Sequence, residues 1–423
     1  MTNKLIIDNF LIFKHIEIDV NRYTVFIGPQ ASGKSIVAKL LYIFYHFPET
    51  AYSTIINEER KRELKRNMTN LFSQIFSEQI WKDSEFTISF ETELGSFSYE
   101  HKPQKKLLFT ISETYDKTFA KLHNKYLRGN KAITNKYNNK LSLLQIDKVA
   151  LFDSFRSAFA KETWGLINNG GTCTFVPAGR SSFAILTDFV FTLWKNNIHT
   201  DYFIKEFGVN YEQARNRYSL FYSNGQRNAF AYTRVQKEIL KGYYIRKNQR
   251  DYLKNEGPFN SFDVEVLDAS SGQQELLPIL LTLFRKSNSF FMIEEPEAHI
   301  YPESQYALMR FIISRRVSND PETAFLFTTH SPYIITVLNN LARAGYLENK
   351  LTGQKDKLEK LDKIYPKNER IPFGELSAYM FVNGTAKSII DKNTRLINAE
   401  ELDSISDKIS SDFSSLVNLE FEE

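Results

Sequence analysis

Apolar and polar positions along this chain switch repeatedly between the two-residue period of strands and the three-to-four-residue period of helices. LIIDNFLIFKHIEIDV predicts two short strands with a turn near Asn9, and TVFIG predicts a buried strand. SIVAKLLYIFYHF follows with helical spacing. From about Glu49 to Trp81 the pattern is helical and highly charged, and EFTISFETELGSFSYE then alternates around Gly95 as a hairpin does. A second helical, basic run extends to about Asn168.

Strand character returns in CTFVPAG, and Thr187 to Asn255 reads as helical and tyrosine-rich. FDVEVLD, SFFMIEE and TAFLFTTH read as strands, with the helices ELLPILLTLF and ESQYALMRFIISRR between them. Such alternation predicts an α/β domain with a largely parallel sheet. FGELSAYMFVNGTAKSIIDKNTRLI predicts a closing hairpin that turns near Asn383–Gly384. The expected organisation is one principal domain in three pieces, 1–48, 169–190 and 261–423. It is interrupted by a mixed helical and hairpin insertion at 49–168 and a helical insertion at 191–260.

Composition narrows the class. Of 423 residues, 42% are hydrophobic and 25% charged, which suits a soluble globular chain and is too apolar for a disordered one. The 35 Phe and 22 Tyr can fill a core or stack on bases. Cys173 is the single cysteine, which excludes an intramolecular disulfide and a cysteine zinc site. No run of about 18 apolar residues occurs, so neither a membrane span nor a signal peptide is expected, and a cytoplasmic location is. The net charge of +4 hides an uneven spread. His101 to Lys140 holds nine Lys and one Arg against Glu113 and Asp116, and Arg234 to Glu256 holds seven bases against three acids. Asp391 to Glu423 holds nine acids and three bases. Either basic stretch can neutralise nucleic-acid phosphates or form a solvated helix face.

The chemistry gathers in four short stretches. FIGPQASGKS fits G-x-x-x-x-G-K-[ST] between a strand and a helix. Gly28 and Gly33 let backbone N–H groups face phosphates, Lys34 reaches them with its ammonium, and the Ser35 hydroxyl is a Mg²⁺ ligand. Gln30, Ser32 and Ile36 belong to the same nucleotide-binding segment. FFMIEEPEAHIYPE ends an apolar strand on Glu294 and Glu295, the first suited to hold Mg²⁺ and the second to polarise an attacking water. In DASSGQQELLPILL, Ser271 and Gly272 open an apolar helix and make an anion site or a helix cap. TTHSP places His330 at the end of the next strand, where an imidazole can bond a γ-phosphate.

In that order and across those insertions, these motifs resemble the ABC-type ATPase heads of the RecF, SMC and overcoming-lysogenization-defect group. Ser270 to Gln274 is similar to the L-S-G-G-Q signature, with Ser270 at the leucine position and Gln273 at the second glycine. EEPEAHIYPE is similar to the E-E-P-E-x-H-L-H-P form of that group. The resemblance covers residues 1–45 and 260–345 and hardly touches the insertions.

The resemblance implies a P-loop ABC-type ATPase head that binds ATP and Mg²⁺ and hydrolyses ATP. It also implies a homodimer or higher homo-oligomer in which each ATP is shared. Lys34, Ser35, Glu294, Glu295 and His330 then act from one subunit, and Ser271 reaches the nucleotide of the other. VPAGRSS matches a Pro-Ala-x-Arg element of related heads, so Arg180 is expected to contact phosphate or the partner head, or to form a salt bridge at the core edge. Gln145 is the candidate for the glutamine loop. Stand-alone heads with short insertions resemble phage-defence ATPases of the PARIS or Septu type that gate a separately encoded effector. The alternatives are a RecF-like DNA-maintenance ATPase and a small-molecule kinase. The D-x-D acids of an appended Toprim nuclease occur nowhere in the chain, so no intrinsic nuclease is expected.

Overall fold

The computed structural model describes residues 3–136, 155, 159, 172–184, 200–223, 235–256, 260–284, 289–319, 323–391, 393–398 and 410–415. Strands β1 (Asn3–Phe10) and β2 (Phe13–Val20) pair antiparallel, with Ile7 opposite Ile16 and Phe10 opposite Phe13. The turn therefore falls on Leu11–Ile12 rather than near Asn9. The cause is Phe10, whose ring enters a cluster with Phe72, Phe76 and Phe86 at centroid distances of 5.7, 5.3 and 4.8 Å. The strand persists through Asn9, at φ +55°, to deliver that ring.

β1 pairs on its other side with β4 (Phe86–Thr92), which continues through β5 (Gly95–His101) to β6 (Leu108–Ile111). The hairpin expected within the first insertion thus extends the sheet begun by the N-terminal strands, giving the order β2-β1-β4-β5-β6.

The second sheet has six strands in the order β14-β13-β3-β12-β11-β7. Its central members are β3 (Tyr23–Ile27), β12 (Ala324–Thr329) and β11 (Ser289–Glu294), with β7 (Thr172–Val176) beyond β11 and β13 (Leu376–Val382) beside β3. These five run parallel. Among the described strands of this sheet only β14 (Thr385–Ser388) is antiparallel, folded back on β13 through Asn383–Gly384 as the sequence predicts. β3 and β12 are buried at every position, so they read as continuous apolar runs instead of alternating ones.

Helix α1 (Lys34–Tyr45) lies between the two sheets, and its six residues from Leu40 to Tyr45 are all buried. Tyr45 spans the gap, with its ring 5.3 Å from Phe90 of β4 and 4.4 Å from Phe290 of β11. Helices α2 (Phe47–Ile56), α3 (Lys61–Ile75) and α4 (Glu113–Lys136) cover the antiparallel sheet. A second core forms on the opposite face of the parallel sheet under α5 (Tyr202–Ser223), α6 (Ser271–Leu283), α7 (Pro302–Asn319) and α8 (Pro332–Lys350).

The helical reading of Thr187 to Asn255 needs correction at its end. β8 (Tyr243–Lys247), β9 (Arg250–Glu256) and β10 (Ser261–Glu265) form a three-stranded antiparallel sheet. Asn248 and Gln249 connect the first two at φ +50° and +64°, the double left-handed turn that suits a two-residue hairpin loop. Gln145, most of the basic run beyond Lys136 and most of the acidic tail lie outside the described residues.

Candidate nucleotide site

Because β7, β11, β12 and β3 are parallel, the loops that leave their C-terminal ends share one edge of the sheet. These loops are Pro177–Arg180, Glu294–His299, His330–Ser331 and Gly28–Gly33. Open parallel sheets bind ligands at this edge.

The phosphate loop leaves β3 and opens α1. Gly28 sits at φ +142°, where a Cβ would lie 2.2 Å from the carbonyl oxygen of Phe381. Gly33, at φ +99°, would carry its Cβ 2.3 Å from Cζ of Phe13. Neither position accepts a side chain, so the cradle depends on the neighbouring strands as well as on its own motif. Lys34 is 6% exposed. Its Nζ donates to the carbonyls of Gly28 and Pro29, both at 2.8 Å, and to Oγ of Ser32 at 3.4 Å. Burial lowers the ammonium pKa, and the Glu295, Glu297 and Glu294 carboxylates oppose that shift. Gln30 and Ser35 are exposed, Ser32 is buried and Ile36 is half-buried.

On β11, Glu294 is 9% exposed. Its Oε2 accepts the N–H of Ala178 at 3.3 Å, while its Oε1 is buried with no hydrogen-bond partner among the described residues. Glu295 is more open, and its Oε1 lies 3.4 Å from Nε2 of His330. The backbone at Glu295 turns left-handed, at φ +42°, with its N–H bonded to the carbonyl of Thr328 at 2.9 Å. A non-glycine residue in this region stores strain that its surroundings must hold.

Two participants escaped the sequence reading. Glu297 is one: its Oε1 accepts Oγ1–H of Thr329 and the backbone N–H of His330, both at 2.7 Å. It ties the acidic loop to the strand end that carries the histidine. The third acid of EEPE was the available signal. Glu275 is the other, and nothing in an apolar helix marked it as more than a polar position.

Arg180 requires a correction. It is 0% exposed, so its guanidinium reaches neither a phosphate nor a partner head. Nη1 donates to the carbonyls of Pro177 and Glu294 at 2.7 and 2.6 Å, Nη2 to that of Glu295 at 2.9 Å, and Nε to that of Glu275 at 3.1 Å. The Glu275 carboxylate lies 3.2 Å from Nε and also accepts the backbone N–H groups of Arg180 and Ser181. Of the alternatives read from sequence, the salt bridge is the one formed, and it is buried.

At the signature stretch, Ser270 is the N-cap of α6 and Gln273 completes a capping box with it. That explains a glutamine at the second glycine position: its side chain closes the helix start and also donates to the carbonyl of Leu240 at 2.9 Å. Ser271 is the first helical residue and is exposed. Gly272 follows, and a Cβ there would lie 2.6 Å from the carbonyl oxygen of His299. The signature helix therefore starts directly against the loop that follows the two carboxylates.

These residues fit a magnesium nucleotide. The loop presents backbone N–H groups around a lysine, the Ser35 side chain is exposed, and Glu294 Oε1 is a buried acceptor with no donor among the described residues. Bound there, Mg²⁺ would neutralise phosphate charge from Ser35 and Glu294. Among the described residues no helix is long and apolar enough to cross a membrane.

Several solved structures have a similar outline at low identity. The SMC head domain from Thermotoga maritima is 12% identical over 92% of this chain and 98% of its own, with a TM-score of 0.38. An SmcHead bound to the C-winged helix domain of ScpA is 11% identical over 91% and 96%, with a TM-score of 0.40. The Smc head with an extended coiled coil bound to the C-terminal domain of ScpA, derived from Pyrococcus furiosus, is 12% identical over 96% and 98%, with a TM-score of 0.37. No curated protein matches the sequence. A family model does, over residues 23–336, which include the phosphate loop, the signature stretch, the acidic strand and His330. By that match the chain belongs to the family described as AAA domain, putative AbiEii toxin, Type IV TA system.

Proposed function

We propose that this protein is an ABC-type molecular switch that binds and hydrolyses ATP with Mg²⁺, closes as a homodimer around shared ATP and opens after hydrolysis. The convergence of Lys34, Glu294, Glu295 and His330 on one edge of the parallel sheet is the observation that supports this reading most. Lys34 binds and neutralises phosphate oxygens, exchanging its present bonds to the Gly28 and Pro29 carbonyls for them. Glu295 orients a water and accepts its proton, and His330, 3.4 Å away, holds the same region from the neighbouring strand. Glu297 fixes the His330 backbone. Ser271, exposed at the start of α6, supplies a hydroxyl and helix N–H groups to the nucleotide of the facing subunit.

In this reading the switch gates a separately encoded effector in anti-phage defence, within the PARIS or Septu class of systems. Membership of a family described by a toxin–antitoxin system is in keeping with such a role. The test is phosphate release from ATP by the purified protein, together with sedimentation of the Glu295→Gln variant with and without ATP. Release of phosphate and an ATP-dependent dimer are expected. A phosphorylated small molecule in place of free phosphate would replace the switch by a kinase, and a monomer at saturating ATP would remove the shared site.

A further inference from the structure

The Arg180 side chain has no ligand-facing surface, yet four of its hydrogen bonds end on backbone carbonyls of three separate segments. Two of those carbonyls belong to Glu294 and Glu295, the carboxylates of the candidate site. One belongs to Glu275 in the signature helix α6, and the carboxylate of that same residue takes the backbone N–H groups of Arg180 and Ser181. A guanidinium spreads its donors in one plane, so it can hold several acceptors in a fixed relation that an ammonium cannot.

The backbone of Glu295 gives this arrangement a purpose. At φ +42° it occupies a conformation that L side chains rarely adopt, and it persists only where its flanks are held. Its N–H is held by Thr328, and its carbonyl by Arg180 and by the N–H of Ala298 at 3.0 Å. Burial lowers the Arg180 pKa and the Glu275 carboxylate leads the opposing groups, so the charge is retained by a partner on α6 and not by solvent.

We propose that Arg180, locked by Glu275, is the positioning residue that aims Glu294 and Glu295 and makes their placement depend on the position of the signature helix. The proposal rests on the switch reading for its consequence in turnover, but its geometry is testable without it. When α6 moves, the Glu275 carbonyl and carboxylate move with it, and the guanidinium must carry that displacement to the carbonyls of Glu294 and Glu295. Arg180 touches no substrate in this scheme.

The test compares wild type with Arg180→Lys and Glu275→Gln, and with Asp251→Asn as a control. Asp251 holds Arg215 and Tyr244 through bonds of 2.6 Å in the three-stranded sheet region, so its loss lowers stability through other contacts. For Arg180→Lys, ATP affinity and KM are expected to stay within about threefold, while kcat falls on the order of a hundredfold, the scale of a 1 Å misplacement. Hydrogen exchange over residues 293–298 is expected to quicken by about tenfold or more, whether or not the protein hydrolyses ATP. Glu275→Gln should show both effects more weakly, and the double variant should be no worse than Arg180→Lys alone. Unchanged exchange over 293–298 in folded Arg180→Lys would overturn the proposal. So would an equal loss of kcat in Asp251→Asn at a matched fall in Tm, because Arg180 would then be acting through stability alone. Absence of turnover in wild type with quickened exchange in the variant would refute the switch reading and leave the positioning role standing.

Discussion

Nζ of Lys34 lies 2.8 Å from the carbonyl oxygen of Gly28, six residues earlier in the same loop. The ammonium is thus satisfied by its own loop, and in the proposed function a phosphate must offer more than the carbonyls it replaces. Lys34→Ala is expected to abolish nucleotide binding, measured by equilibrium binding of a fluorescent ATP analogue. Burial lowers the Lys34 pKa from its ordinary 10.5, so the neutral form gains on the alkaline side earlier than for a free lysine. ATP affinity should therefore fall as pH rises, beginning below 10.5, and that fall should be absent from Lys34→Arg, whose guanidinium keeps its proton throughout this range.

Glu295→Gln keeps the shape of the side chain but removes the carboxylate proposed to accept the proton. ATP is expected to bind and persist, with turnover lower by about a hundredfold or more. Glu294→Gln is expected instead to raise the Mg²⁺ concentration needed for binding, since its buried Oε1 has no other work among the described residues. Magnesium titrations of the two variants separate these roles, and a reversed pattern would exchange the assignments.

Glu297→Ala removes the acceptor shared by Thr329 Oγ1 and the His330 N–H. Leaving those groups unpaired should cost about 1–3 kcal/mol in denaturant unfolding. Turnover is expected to fall with it, as His330 loses its fixed backbone, and Glu297→Gln should recover part of both because its amide oxygen can still accept.

Ser271→Arg is expected to leave ATP binding to the single subunit intact while preventing the closed dimer. Mixed with Lys34→Ala, it should recover part of the activity through one composite site, read by phosphate release across mixing ratios. No recovery at any ratio would count against a shared site.

The basic stretches call for different expectations. In the second, Arg246 and Lys247 pair with Asp251 and Asp263 at 3.5 and 2.5 Å, and Arg250 with Glu265 at 3.6 Å, so much of its charge is met internally. In the first, Lys121, Lys125, Arg128 and Lys131 are exposed along α4. If α4 meets nucleic acid, reversing three of these charges should flatten the salt dependence of binding by a few units, about one per phosphate contact. Negligible affinity with loss of an acidic protein partner in the same variant would assign the stretch to protein recognition, and no change in either assay would leave it as a solvated helix face.

Much of the parallel sheet was written in the sequence, because strands buried on both faces carry near-continuous apolar runs, as VFI, FFMI and AFLF do. The phosphate loop, the paired carboxylates and the strand-end histidine were legible for a related reason: each has a chemical requirement that few residue types meet at a fixed local spacing. The hairpin at Asn248–Gln249 was hidden, since two left-handed residues other than glycine leave only a weak local mark. Extension of the N-terminal hairpin by β4–β6 was hidden too, as strand pairing between residues some eighty positions apart has no local signal. Arg180 shows where the limit lies. Its sequence context allowed a phosphate ligand and a salt bridge alike, because a guanidinium suits both. Only the assembled fold decided between them, by burying it where four backbone carbonyls and the Glu275 carboxylate meet.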